Sequence, residues 1–344
     1  MSTHASGAVL SKAHALFGQR ITDEEYRQMA RMRSVRDIVV YLKEHTYFSG
    51  TLQGVQENFA RRAQIEQLLR QDLFMRNEKL TKYASQPVGD SVYDFFRWSE
   101  EILVVLLAIR QVNIGNMQTY ISNVPGYLVG KLSFDVMDLS KARTPDELCE
   151  MLIHTPYHKL IAEQGRHSDG RFHVSWCEAA LYQFNFDRIF SVIRKRYRGK
   201  DRMDLEQLFK QEVTTLNTDM IYRFKRYFGG DPEEIRKRLI QKYDSRPSAL
   251  LEKMIVAPTA VDVLKLIHKD KNGPFTEDIT QLAIQRDKRQ FKNCCSRFYL
   301  AANPDVAYAS YMMLGHMEVQ KLTRLLEGVF YMEDPMVIET MSIY

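Results

Sequence analysis

The feature that most constrains this chain is a helix-start pattern that occurs three times. A serine or threonine is followed three residues later by an acid, in Ser34-x-x-Asp37, Thr144-x-x-Glu147 and Thr259-x-x-Asp262. The hydroxyl can cap the first backbone N–H groups of a helix, while the acid reaches back toward the cap. The pattern therefore predicts three helix starts. The positions four, five, seven and eight residues after each cap are all apolar or weakly polar: Ile38, Val39, Tyr41 and Leu42, then Leu148, Cys149, Met151 and Leu152, then Val263, Leu264, Leu266 and Ile267.

The three caps are almost evenly spaced. They are separated by 144 − 34 = 110 and 259 − 144 = 115 residues, close to one third of the 344-residue chain. A single capping box is common in helical proteins, so the even spacing is what indicates one helical unit used three times. We expect an N-terminal tail at residues 1–15 and three helical units at residues 16–130, 131–245 and 246–344.

The rest of the chain also has helical periodicity. Apolar residues from Leu205 to Tyr227 recur every three or four positions, which predicts a helix of about six turns. Asp231-Pro232 predicts a new helix directly after this one, and Asp334-Pro335 predicts another near the C-terminus, because proline is tolerated at the first helical position. The apolar run 102–109 predicts a helix buried on all sides. No segment alternates between apolar and polar residues, so we predict an all-α fold.

Composition and charge indicate an ordinary soluble protein. The chain is 45% hydrophobic and 26% charged, with a net charge of 48 − 43 = +5. Four cysteines without C-x-x-C spacing suit a reducing cytoplasm. The N-terminal residues lack the apolar core of a signal peptide. The longest apolar run has eight residues, against about 20 for a membrane-spanning helix, so we expect membrane contact only through partners.

The sequence contains no recognisable catalytic or cofactor motif. Phosphate-binding glycine loops, a dinucleotide fingerprint, zinc-protease and calcium motifs and G-x-S-x-G are all absent. His154 and His158 have the spacing of paired metal ligands, but Pro156 between them argues against the continuous helix that such a pair needs. We therefore expect no catalytic residue, cofactor or metal.

Charged clusters leave two other classes of function open. Residues 194–200 (RKRYRGK) combine cations with an aromatic, as in a helical nucleic-acid-binding or scaffold module, although cations also favour a helix C-terminus.

Glu100, Glu101, Glu212 and Glu318 lie at or near apolar faces, where an acid is unfavourable unless it is paired or faces a cavity. A helical enzyme of unrecognised type is the remaining alternative.

Several segments resemble those of one known family. They are residues 21–26 (ITDEEY), 34–42, 46–47 (TY), 144–148 (TPDEL), 155–157 (TPY) and 318–322 (EVQKL). The chain is similar to the central-stalk socket of V-type ATPases, which is the d subunit of the eukaryotic enzymes and the C subunit of the bacterial and archaeal ones. Lys321 stands where that family commonly has asparagine, and Ile102 follows Glu101 where asparagine is usual. The resemblance covers nearly the whole chain.

This resemblance implies a fold and a function. The fold it implies is a funnel of three pseudo-equivalent helical lobes. The role it implies is non-catalytic: the protein sits on the membrane rotor ring of c/K subunits and receives the central stalk, made of the D and F subunits, with the stator membrane subunit as a further partner. It also implies a peripheral location on the cytoplasmic side of the membrane and no nucleic-acid partner. On this basis we expect Glu212, Glu318 and Lys321 to line the stalk cavity or its rim.

Overall fold

The computed structural model describes residues 2–84, 91–269 and 279–343, and within these ranges the protein is all-α. The predicted all-α class is confirmed, and the funnel of three lobes stays a prediction. The described residues contain no β-strand, and their one isolated β-bridge joins Arg166 to Phe172. The helices are α1 (Ser2–Gly18), α2 (Asp23–Ala30), α3 (Val35–His45), α4 (Ser49–Leu52), α5 (Arg62–Thr81), α6 (Phe95–Asn113), α7 (Met117–Asn123), α8 (Pro145–Met151), α9 (Tyr157–Ala162), α10 (Val174–Arg196), α11 (Gly199–Tyr227), α12 (Pro232–Arg238), α13 (Ser248–Val256), α14 (Ala260–Lys269), α15 (Ile279–Leu300), α16 (Pro304–Phe330) and α17 (Pro335–Ser342).

The chain packs as two compact units. The first combines Met1–Gly89 with Asp278–Tyr344, and the second is Asp90–Glu277. In the first unit, α16 is the central helix and packs against α1, α5, α15 and α17. In the second unit, α10 packs against α6, α9, α11 and α12, while α14 packs on α11. The three sequence units at residues 16–130, 131–245 and 246–344 stay a prediction about repeats.

All three predicted helix starts are present. The backbone N–H groups of Asp37, Glu147 and Asp262 donate to the hydroxyls of Ser34, Thr144 and Thr259 over 3.2, 3.2 and 3.1 Å. The acids complete the motif differently from the expected capping box. Asp37 and Asp262 accept from the cap hydroxyls, and Glu147 accepts from the backbone N–H of Arg143. The cap itself was predictable because it involves only four neighbouring residues.

The predicted Asp-Pro helix starts are also present. Asp231 caps α12 and Asp334 caps α17, each with a proline in the first turn of the helix. The predicted long helix is α11, which begins at Gly199, six residues before the apolar stripe. The segment expected to be a tail forms most of α1 from Ser2 onward, with Val9 and Ala13 fully buried.

One expectation about burial is wrong. Residues 102–109 lie in α6, and Ile102 and Val105 are fully buried, but Leu103 is 45% exposed. The helix is therefore buried over most of its surface and not on all sides, because an unbroken apolar run does not show how many neighbours a helix will have. No helix among the described residues is long and apolar enough to span a bilayer.

Candidate functional site

Glu318 on α16 joins this helix to two segments from the start of the chain. Its Oε1 accepts a hydrogen bond from the backbone N–H of Ile21 over 2.9 Å, and its Oε2 accepts one from the hydroxyl of Tyr47 over 2.5 Å. Burial, and next the charge of Glu318, raise the pKa of Tyr47 well above its ordinary value, so this hydroxyl keeps its proton and donates. Both carboxylate oxygens thus have partners within the first unit.

A cation lies directly beside this glutamate–tyrosine pair. The guanidinium of Arg76 stacks on the Tyr47 ring at 3.6 Å, pairs with Asp72 over 2.6 Å and donates to the hydroxyl of Tyr311 over 3.2 Å. Arg76 is 8% exposed, so its stacking and its ion pair are only weakly screened by water. Tyr47 is therefore held by its ring as well as by its hydroxyl.

Lys321 lies one turn further along α16 and is almost fully buried. Its Nζ sits 4.2 Å from the centre of the Tyr26 ring and 5.5 Å from that of Phe291. Burial lowers the pKa of Lys321 to about 8, although Asp23 and Glu318 favour the charged form. The aromatic rings stabilise an ammonium that has lost most of its water.

Glu318 and Lys321 line the same cavity, which has a volume of about 180 Å³. Its wall also includes the cations Arg20 and Arg76 and the carboxylate of Asp23. Arg20 and Asp23 are exposed, whereas Lys321 and Arg76 are buried, so the polar lining runs from solvent into the unit. The structure thus brings together two of the three predicted site residues.

Glu212, the third predicted residue, lies on α11 in the second unit. It is partly buried, and its charge acts on Tyr182 together with the charges of Glu178 and Glu100. Burial, followed by the charge of Glu178, raises the pKa of Tyr182 to about 12. Glu212 therefore belongs to a separate acidic group and not to the cavity that contains Glu318 and Lys321.

The second unit repeats the glutamate–tyrosine arrangement. Glu101 on α6 accepts from the backbone N–H of Ser133 over 2.8 Å and from the hydroxyl of Tyr157 over 2.5 Å. Glu101 is 3% exposed. Burial of Tyr157 is the main reason why the pKa of this tyrosine is raised, and the charge of Glu101 is the next. Arg188 stacks on the Trp98 ring at 3.5 Å, and its charge also acts on Tyr157. We call each set of a long-helix acceptor and its donors a polar clamp.

The long helix α11 carries a related clamp built on an amide. Asn217 accepts from the backbone N–H of Ile240 over 2.9 Å and donates to the carbonyl of the same residue over 3.0 Å. Asn217 is 1% exposed and also donates to Asp244. Each of the helices α6, α11 and α16 therefore holds, by a polar side chain, a backbone N–H that precedes one of the three caps.

Sequence reasoning assigned no role to the two clamp tyrosines, although both lie in segments that carry the family resemblance. Tyr47 stands 47 − 34 = 13 residues after the cap Ser34, and Tyr157 stands 157 − 144 = 13 residues after the cap Thr144. This shared offset is the signal that could have identified them. The corresponding position after Thr259 is Asn272, which lies outside the described residues.

The remaining sequence candidates have structural explanations. Pro156 immediately precedes α9, so His154 and His158 do not share a continuous helix. In the described ranges no group of three His, Cys, Asp or Glu side chains is arranged to hold a metal ion. At residues 194–200, the guanidinium of Arg198 donates to three carbonyls at the end of α10, and Tyr197 is 5% exposed.

Comparison with known proteins identifies the family. A search of curated proteins found no match. The family model described as ATP synthase (C/AC39) subunit matches residues 9–341. This match covers nearly the whole chain and agrees with the resemblance given by the helix-start segments. The chain therefore belongs to the V-type ATP synthase (C/AC39) family, which comprises the C and d subunits of these enzymes.

Proposed function

We propose that this chain is the central-stalk socket of a rotary V-type ATPase or ATP synthase. In this role it couples the D and F subunits of the stalk to the membrane rotor ring of c/K subunits and transmits torque for ion transport. The family match over residues 9–341 carries the proposal, because members of this family are non-catalytic components of such enzymes. The proposed location is peripheral, on the cytoplasmic side of the membrane, with the stator membrane subunit as a further partner.

The internal construction of each unit supports a role in transmitting force. The two longest helices, α11 and α16, have 29 and 27 residues. Each carries a polar clamp that ties it to a distant segment of its own unit. Buried hydrogen bonds of this kind, added to close apolar packing, resist deformation of the helices they connect. A stiff body suits a protein that must pass on rotation without absorbing it.

Glu212, Glu318 and Lys321 remain our proposed stalk-binding residues. The cavity beside Glu318 and Lys321 has room for a few side chains but not for a helix. We therefore propose that the stalk meets the exposed rim at Arg20 and Asp23, and that the partly buried Glu318 and the buried Lys321 set the charge of that rim. Glu212 is proposed to act separately, through the acidic group on the second unit.

An exposed aromatic turn supports the presence of a protein partner. Phe330, Tyr331 and Met332 are 55%, 65% and 89% exposed at the end of α16, and Arg62 lies 5.6 Å and 5.8 Å from the two ring centres. Met332 has φ = 56°, which is uncommon for a residue with a side chain. Protein interfaces are enriched in aromatic residues, methionine and arginine.

Co-purification tests the proposed function directly. The tagged full-length chain would be expressed in its own organism, extracted with mild detergent and analysed by mass spectrometry. We expect the rotor ring and both stalk subunits to be recovered together. Recovery of neither, with the chain folded and expressed at a normal level, would refute the socket role.

Charge reversal tests the proposed stalk-binding residues. Stalk binding would be measured for Glu212→Lys, Glu318→Lys and Lys321→Glu, alone and combined, after thermal melting has shown that each variant is folded. Lys253→Glu, at an exposed position on α13, is the control. If the folded triple variant bound the stalk as well as this control, the assignment would be wrong. Lys321→Asn, which restores the usual family residue, is expected to retain stalk binding.

A further inference from the structure

The turn between α10 and α11 concentrates positive charge at one end of the second unit. Residues 194–200 include five cations, and all five are exposed. We call this segment the basic turn. The proposed socket function assigns it no role.

Helix stabilisation explains only part of the basic turn. Arg198 caps the end of α10, and Arg194 and Lys195 lie in its last turn, where cations are favourable. Lys200 is the second residue of α11, where the helix dipole disfavours a cation. In the part of the chain that the structure describes, the ammonium groups of Lys195 and Lys200 form no ion pair. Such an accumulation of unpaired charge attracts an external anion.

The surroundings of these cations indicate which class of anion fits. Proteins that hold single-stranded nucleic acid stack bases on aromatic side chains, but Tyr197, the aromatic residue of the basic turn, is only 5% exposed. Protein interfaces are depleted in lysine. Met203 is 64% exposed and lies three residues after Lys200, on the same face of α11. Clustered cations beside an exposed apolar side chain are typical of a bilayer surface.

We propose that the basic turn, with Met203, binds the phosphate groups of anionic phospholipids. This contact is additional to attachment through protein partners and goes beyond the socket function. Lys195 and Lys200 are the residues that bind headgroups, because their ammonium groups form no ion pair with any residue that the structure describes. The site lies entirely within residues 195–203, at the junction of α10 and α11 in the second unit.

Vesicle co-sedimentation of the full chain tests this proposal. The vesicles are phosphatidylcholine alone, or phosphatidylcholine with about 30 mol% phosphatidylserine. We expect binding to the anionic vesicles at about 0.1 M salt and its loss at about 1 M salt, where the screening length falls to about 3 Å. Each cation near an anionic surface raises the binding constant by a factor of about five, so the double variant Lys195→Gln/Lys200→Gln should bind anionic vesicles about 25-fold more weakly.

The matched control removes the same charge elsewhere on the second unit. Lys159→Gln/Lys253→Gln replaces two exposed lysines and should bind anionic vesicles within about twofold of the unmodified chain. Equal binding by the two double variants would overturn the proposal, as would equal binding to both vesicle types. Tighter binding of duplex RNA than of anionic vesicles at the same salt would assign the basic turn to nucleic acid instead.

The same variant separates this inference from the socket function. Lys195→Gln/Lys200→Gln would also be tested for co-purification with the ring and the stalk. Loss of vesicle binding with the ring and stalk still recovered supports the inference independently. Failure of the vesicle test with the ring and stalk recovered overturns the inference and leaves the socket function in place.

Discussion

Removing one hydroxyl should reveal how much a polar clamp contributes to stability. Tyr157→Phe keeps the buried ring but leaves Oε2 of Glu101 without the donor that now lies 2.5 Å away. Hydrogen bonds to charged groups contribute about 1.5–3 kcal/mol. Because Glu101 is 3% exposed, water cannot readily replace the lost donor, and we expect the upper part of that range, about 2–3 kcal/mol.

Urea unfolding measures this loss. The change in the free energy of unfolding follows from the shift in midpoint if the slope m is unchanged. In a thermal melt, the same loss in a unit the size of Asp90–Glu277 should lower the Tm by roughly 5–10 °C. Tyr227→Phe, whose side chain is 70% exposed in the same unit, is the control and should change stability by less than about 0.5 kcal/mol.

A second background isolates the charge of the acceptor. In a Glu101→Gln background, Tyr157→Phe removes a hydrogen bond to a neutral acceptor, which contributes about 1 kcal/mol. The loss should therefore be smaller than in the unmodified chain. An equal loss in both backgrounds, or a loss no larger than that of Tyr227→Phe, would refute the reasoning that this hydroxyl stabilises a buried charge.

Three further substitutions test other contacts. Lys321→Met removes a lysine whose folded-state pKa of about 8 lies below its ordinary 10.5, so the unfolded chain binds more protons between these values and stability rises with pH. As the pH rises from 7 to 9.5, the free energy of unfolding of the unmodified chain, measured with urea, should therefore increase by about 2 kcal/mol relative to that of the variant. Lys79→Met, at an exposed position, is the control and should show no such pH-dependent difference from the unmodified chain. Gly328→Ala places a Cβ 2.7 Å from Cγ1 of buried Ile338 and should lower the free energy of unfolding by about 1–3 kcal/mol, as measured with urea. Gly54→Ala, whose added Cβ would have no atom within 4 Å, is the control and should be close to neutral. Thr144→Ala should cost about 1 kcal/mol in the same assay, and Thr144→Asn, which can still cap α8, should restore most of it.

Local features of the fold were predictable from the sequence. The caps at Ser34, Thr144 and Thr259 and the Asp-Pro helix starts each depend on a few neighbouring residues, and all are present. The all-α fold followed from periodicity over single helices. The exposure of Leu103 was not predictable, because burial depends on which helices pack around α6 and not on α6 itself.

The candidate site depended on contacts between distant residues. Tyr157 and Glu101 are 56 positions apart, and Tyr47 and Glu318 are 271 apart. The sequence indicated that acids near apolar faces needed partners, but it could not name those partners without the packing of the helices. It also grouped Glu212 with Glu318 and Lys321, which the structure places on different units.

The order of the clamps along the chain adds a further argument about the repeats. Glu101 holds a segment that follows it, at Ser133, and Asn217 likewise holds a later segment, at Ile240. Glu318 lies on the last long helix and instead holds the first segment, at Ile21. Within the predicted bounds, Glu101 holds a segment of the next predicted unit and Glu318 holds a segment of the first, whereas Asn217 holds Ile240 inside its own predicted unit, 131–245. The three repeats therefore stay a prediction, because two of the clamps reach another predicted unit and the third does not, and the chain packs as two compact units.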